Sequence, residues 1–243
     1  MNERESTGIA GLDEVIGGGL ARPSLTALIG APGTGTTTFC KQFIMSSLQR
    51  ERNVMVACTD EPVGHFLRHF RFPQPFDLEP YVRQNRLVIL DMYERFTERL
   101  GIKSYSNIEE VGEIPLGEIL EELTERVASG VPGLPREFNT VIDSLTAVAP
   151  FVGVRDMYAV LRESRRRVRE GKHVVVLTAH EGALEGNIIQ ALRQHADCVI
   201  KMTMSLSKTD LKRLMIIEKA GFTEIKQATL EFSIGSAGIE IKQ

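Results

Sequence analysis

The run Gly30-Ala31-Pro32-Gly33-Thr34-Gly35-Thr36-Thr37 has the residue types that hold phosphate oxygens. Closely spaced glycines let consecutive backbone N–H groups turn toward one point, and a helix starting at once adds the positive end of its dipole. The template is G-x-x-x-x-G-K-[ST], and Gly30, Gly35 and Thr37 satisfy it at the right spacing. Thr36 stands where the template has lysine. A lysine there brings a full charge to the phosphates, and one charge-assisted hydrogen bond contributes about 1.5–3 kcal/mol. A threonine hydroxyl brings no charge. Lys41 follows five residues later, past a full helical turn, and is poorly aimed to take over. The run also reads as a plain tight turn between strand and helix. If phosphates do bind, Gly30, Gly33, Thr34, Gly35, Thr36, Thr37 and Thr38 are expected to hold them.

Two acidic features fit the same chemistry. Val141-Ile142-Asp143-Ser144 ends an apolar run in a carboxylate, from which Asp143 would share a Mg²⁺ ion with the hydroxyl of Thr37. The plain alternative is a strand-ending aspartate that caps the next turn. Thr59-Asp60-Glu61-Pro62 ends another apolar run in adjacent carboxylates that could activate a water beside a phosphate. Equally, Asp60 reads as the cap of a helix with Pro62 early in its first turn. His65 and His69 have a metal-compatible i, i+4 spacing, but no third ligand is evident nearby in sequence, so a zinc site is not expected. The basic cluster Arg162–Lys172 carries Glu163 and Glu170 among its cations and reads as a solvated helix face rather than a phosphate grip.

The elements that would position these residues alternate. Ser24–Ile29, Asn53–Cys58, Arg86–Leu90, Thr140–Asp143 and His173–Thr178 read as buried parallel strands. Helices are expected at 36–50, 63–70, 116–128 and 156–170; in the last, Met157, Leu161 and Val168 share one face. Such alternation implies an α/β fold with a mainly parallel twisted sheet, right-handed crossovers and helices on both faces. The strand feeding the glycine turn and the strand ending at Asp143 are expected side by side. Past residue 197, Cys198–Met204, Leu211–Glu218, Thr229–Ile234 and Gly238–Lys242 read as strands joined by short turns, an antiparallel edge on the same sheet. Tyr93–Pro115 has no clean period, Gly130–Pro135 reads as a loop, and there is no internal repeat.

Composition narrows the function classes. The 243 residues are 42% hydrophobic and 25% charged with a net charge of −3, so nucleic-acid binding driven by global charge is not expected. The charged start, MNERESTG, has no apolar stretch of the signal-peptide kind, and no run is long enough to span a bilayer. Cys40, Cys58 and Cys198 are odd in number and lie inside apolar runs, which fits buried free thiols rather than a disulfide framework. These features imply a cytoplasmic protein without membrane attachment, with residues 1–243 forming one domain.

Taken together the motifs resemble the KaiC-like branch of the RecA superfamily of P-loop ATPases. Ser6-Thr7-Gly8-Ile9-Ala10-Gly11-Leu12-Asp13 and Gly17-Gly18-Gly19-Leu20 look like that family's opening signature. Asp60-Glu61-Pro62 stands where the family has an acidic pair and a proline, the second carboxylate serving there as catalytic base. Asp77-Leu78-Glu79-Pro80, Arg86–Asp91 and Asp143-Ser144-Leu145-Thr146-Ala147 also match its pattern. His180-Glu181 follows a strand where RecA-type proteins place a polar sensor of the terminal phosphate.

The resemblance implies a RecA-like core, ATP with Mg²⁺ as cofactor, and rings with nucleotide between subunits. It also exposes a second departure. Where the family has Lys-x-Arg-Gly reaching a neighbour's nucleotide, this chain reads Glu218-Lys219-Ala220-Gly221, with Lys219 out of phase and expected on the opposite face of its strand. An arginine finger contributes about 10³–10⁵ in rate. Losing that cation and the loop lysine together implies a degenerate ATPase. Glu61 and Asp60 are then vestigial catalytic residues, and ATP binding is weak or lost. The expected role is a regulator or scaffold for a protein partner or related ATPase subunit, as a monomer or small oligomer that ATP does not enlarge. The alternatives are a weakly active ATPase or a DNA-binding recombination accessory. Nucleic acid is not favoured: recombinases of the superfamily usually add an N-terminal module, and the chain lacks their Phe-x-x-Ala polymerisation pattern.

Overall fold

The computed structural model describes residues 3–70, 75–93, 137–149, 154–207, 210–223 and 228–242. The expected helix at 116–128, the loop at 130–135 and nearly all of the 93–115 segment lie outside them. In chain order the elements are β1 (Glu3–Glu5), α1 (Ala10–Val15), β2 (Leu20–Arg22), β3 (Ser24–Gly30), α2 (Thr36–Gln49) and β4 (Val54–Cys58). Then come α3 (Val63–Phe66), continued by a tighter turn over Leu67–Phe70, α4 (Glu79–Arg83), β5 (Leu87–Asp91) and β6 (Asn139–Asp143). The last group is α5 (Leu145–Val148), α6 (Val154–Gly171), β7 (Val174–Ala179), α7 (Gly186–His195), β8 (Cys198–Ser207), β9 (Asp210–Ala220), β10 (Ala228–Gly235) and β11 (Gly238–Ile241).

Nine strands form one sheet in the order β11-β10-β9-β8-β3-β7-β6-β4-β5. The six from β8 to β5 pair in parallel, and β8 through β11 pair antiparallel. The architecture is the expected mainly parallel α/β sheet with an antiparallel edge. β3 and β4 are buried along their whole length, which is why they read as unbroken apolar runs: helices cover both faces. Alternation then sorts their residues. Leu28 joins α2's Phe39 and Phe43 in one core, whereas Leu25, Ala27 and Ile29 join Met157, Leu161 and α7's Ile188 and Leu192 in the other.

One expectation about neighbours fails. β3 and β6 are not adjacent, because β7 lies between them. The first crossover, β3 through α2 to β4, skips two positions, which β6 and β7 fill when the chain winds back. Local sequence has no means of announcing that skip. The cysteines are free and buried as expected, and burial pushes the Cys198 thiol up to about 12. No helix among the described residues is long and apolar enough to cross a membrane.

Candidate functional site: a cleft at the carboxyl ends of the strands

The glycine turn leaves β3 and enters α2. Gly33 and Gly35 have φ of 82° and 110°, the left-handed region that favours glycine. At Gly35 space is also short, since a Cβ there would fall 2.7 Å from Ile234 Cδ1 on β10. The β10–β11 hairpin therefore roofs the turn. Gln42 fixes that roof like an extra strand residue: its Oε1 accepts from Ile239 N at 2.7 Å and its Nε2 donates to Ile239 O at 3.3 Å. Inside the turn, Thr34 Oγ1 donates to Ala31 O at 2.7 Å. Thr36 is only 4% exposed, its methyl lying 3.1 Å from where a Cβ on Gly30 would sit.

Thr37 and Thr38 open on a cleft of about 510 Å³, also lined by Lys41, His65, His69 and Gly238. Lys41 belongs to this cleft rather than to the glycine turn. It lies one turn after Thr37 on the same face of α2, so it reaches the cleft without standing over the turn. Burial holds its ammonium below the ordinary lysine pKa.

Asp143 ends β6 and is 7% exposed. It accepts from Thr178 Oγ1 of the intervening β7 at 2.6 Å and from the Thr37 hydroxyl. Burial pushes its carboxyl up from the ordinary value, and the Thr178 bond pulls it partly back. Asp143 does not cap the next turn. Ser144 does, accepting from Thr146 N at 3.2 Å and donating to Asp60 Oδ2 at 2.6 Å. Asp60 is not a helix cap either: Pro62 is the capping residue of α3, with no side-chain cap, and Val63 N donates to Asp91 Oδ2 at 3.3 Å. Asp60 instead faces His180, Nδ1 to Oδ2 3.9 Å. Thr37, Asp143, Asp60 and His180 thus gather at the ends of β4, β6 and β7.

Glu61 departs from this group. Its carboxylate pairs with His65 Nδ1 and, at 3.0 Å, with His69 Nε2. Glu61, four residues before His65, thus adds a carboxylate to the two imidazoles, extending their i, i+4 spacing one step back.

The end of β9 is also built differently from expectation. A bulge between Val199 and Ile200 of β8 leaves Glu218 without a partner in the ladder. Glu218 and Lys219 consequently both reach α7: Glu218 binds Arg193 at 2.7 and 3.1 Å, and Lys219 Nζ donates to Gln194 O and Ala196 O. Lys219 does not face away from Glu218, as strict alternation required. Arg193 and Lys201 also reach Glu181, at 3.7 and 2.8 Å. On α6, Arg165 and Arg169 approach Asp197 at 3.2 and 3.8 Å, and Arg166 pairs with Glu170 at 2.6 Å.

A family profile described as "ATPase: KaiC" matches residues 5–243. The chain belongs to the KaiC ATPase family. Among similar proteins, a UPF0273 protein of Thermotoga maritima is 24% identical over 250 residues, covering 99% of this chain and 96% of the relative. A UPF0273 protein of Pyrococcus horikoshii is 25% identical over 246 residues, covering 98% and 94%. The crystal structure of KaiC-like protein PH0186 from Pyrococcus horikoshii OT3 matches at 23% identity with a TM-score of 0.77 over 100% of both chains. That likeness establishes the RecA-type fold. The glycine turn stands at that family's P-loop position, with Thr36 where the motif has lysine.

Proposed function

We propose that residues 1–243 act as one unit, a KaiC-type pseudo-ATPase in which nucleotide binding is weak and hydrolysis negligible, serving as a regulatory or scaffold partner of another protein. The observation that carries this reading is Thr36, uncharged and turned inward against Gly30. The missing lysine removes about 1.5–3 kcal/mol of charge-assisted bonding to phosphate. That corresponds to about ten- to a hundredfold in affinity.

The remaining donors fit the ligands the family implies. Left-handed Gly33 and Gly35 keep the cradle open, so any bound phosphates would lie over residues Gly33–Thr38. The oxygen pair of Thr37 and Asp143 suits Mg²⁺. A bound magnesium would neutralise phosphate charge. The protein's own part is to hold the Asp143 carboxylate through Thr178 and to orient Asp60 through Ser144. Glu61, at the family's base position, has both oxygens on histidines, which supports the loss of hydrolysis. The Glu218–Arg193 pair and the Lys219 contacts with the α7 carboxyl end support a β9 edge that reaches no neighbour's nucleotide. The corresponding state is a monomer or small oligomer.

Titration calorimetry with Mg-ATP and ADP, together with a phosphate-release assay, tests the proposal. Weak heats and no turnover are expected. Robust Mg²⁺-dependent turnover abolished by Asp143→Asn overturns it. A DNA-binding accessory is the second reading, motivated by the groove of about 400 Å³ along Arg162, Arg165, Arg166 and Arg169. The carboxylate partners of Arg165, Arg166 and Arg169 weigh against it. Salt-dependent DNA affinity weakened by Arg165→Ala and Arg166→Ala would reverse that order.

A further inference from the structure

We propose that Glu61, His65 and His69 form a site for one imidazole-preferring divalent metal ion, of the Zn²⁺ class, on the wall of the phosphate cleft. The site goes beyond the pseudo-ATPase reading and does not depend on it. Its geometry starts from the segment that carries it. Pro62 opens α3, and the continuing turn runs to Phe70. Phe66 and Phe70 point inward, 1% and 2% exposed, and pack edge to face at 5.5 Å between centroids. This anchor sets the opposite face, where His65 and His69 stand one turn apart with ring centroids at 5.8 Å. The histidines are therefore presented by a fixed platform, although their rings are half exposed.

Three ligand atoms converge there. Each histidine offers one ring nitrogen and Glu61 a carboxylate oxygen, all within 4.8 Å of one another, and it is His65 Nδ1 and His69 Nε2 that face the carboxylate. Ligands bound at ~2.0–2.1 Å around a tetrahedral ion lie ~3.4 Å apart. Small rotations of three partly exposed side chains bring them to that distance. Each carboxylate oxygen already faces a different imidazole nitrogen, so an ion entering between them replaces N–H protons without rebuilding the backbone.

The ligand set selects the ion. Two imidazoles with one carboxylate suit zinc, cobalt or nickel, whereas magnesium prefers oxygen ligands and retained water. The site is thus chemically distinct from the Thr37–Asp143 pair. Three protein ligands leave a coordination position for water or a ligand oxygen. His65 and His69 line the same cleft as Thr37 and Thr38, so a held ion adds positive charge to the wall of a cleft whose loop lacks its lysine. It also occupies the Glu61 carboxylate, making metal binding and service as a catalytic base mutually exclusive.

The test uses the full chain stripped with a chelator and titrated with Zn²⁺ by calorimetry, and with Co²⁺ by visible absorption, both without nucleotide. One equivalent per chain is expected, unaffected by excess Mg²⁺. His65→Ala and His69→Ala should each weaken binding by about tenfold or more, and the double variant should abolish it. Thermal melts of the variants without metal should match the parent, since both rings are half exposed. Absence of stoichiometric binding, or binding that survives the double variant, overturns the proposal. Because no nucleotide is present, either result leaves the pseudo-ATPase reading to its own experiment.

Discussion

The glycine turn and the end of β9, where the pseudo-ATPase reading places the two missing cations, are built in opposite ways. At the turn the geometry is present and the charge is missing: Gly33 and Gly35 have a left-handed backbone, Asp143 has its hydroxyl partners, and Thr36 holds no cation. Around the end of β9 cations are present but turned to partners within the chain. Arg193, Lys201 and Lys219 are all present, yet each is engaged by Glu218, Glu181 or the carboxyl end of α7. Shape at a phosphate site is maintained by packing that the fold itself needs, whereas charge at the same site is not.

The largest expected effect comes from breaking the shape. Gly35→Ala forces a Cβ against Ile234 and a left-handed residue at once. The expected loss is about 2–5 kcal/mol from strain and overpacking, read as a lower midpoint in urea unfolding. A variant as stable as the parent would show that the hairpin roof yields. Restoring the charge comes next. Thr36→Lys should tighten Mg-ATP binding by about ten- to a hundredfold, measured by calorimetry. No gain would mean that inward packing at position 36 has closed the cradle. Restoring β9 is harder, since Glu218→Lys places a like charge beside Arg193 and needs Arg193→Ala with it.

A smaller effect concerns Asp143. Burial raises its pKa in the folded chain, so the folded state holds its proton to higher pH than the unfolded state does. Stability from this group is present at low pH and lost as pH rises from the unfolded carboxylate value through the folded one. Asp143→Asn should therefore stabilise the protein at neutral pH, with the gain vanishing in acid, as thermal melts across pH would show. A destabilised variant would mean the Thr178 bond outweighs burial. The smallest effect is the Arg193–Glu218 coupling, about 1 kcal/mol or less in a double-mutant cycle. A coupling well above that would mark this pair as a main support of the β9 edge.

Much of the fold was legible because burial on both faces writes unbroken apolar runs, as in Ser24–Gly30 and Val54–Cys58. α2 and the C-terminal hairpins were equally clear. α7 was not: it starts at Gly186 after an Ile-free turn, with no side-chain cap at Glu185 to mark it. β1 and β2 are three residues each, too short for a period to show. The candidate cleft was half visible. Spacing located Thr37 and Asp143 and the resemblance pointed to His180, but Thr178 and the Ser144–Asp60 contact enter through strand order, which is long-range. The Glu218 bulge shifts side-chain phase by one residue, an effect alternation alone cannot foresee.

The roof over the glycine turn carries a consequence for how this protein comes to exist. Gln42 waits for Ile239, 197 residues downstream, and Ile234 must arrive before Gly35 is covered. During synthesis the turn emerges early and stays unroofed until almost all the described chain has been made. Closing so long a loop is slow. Through that interval α2 shows its amino end to its surroundings, open to any anion or helper protein that reaches it before the last hairpin does.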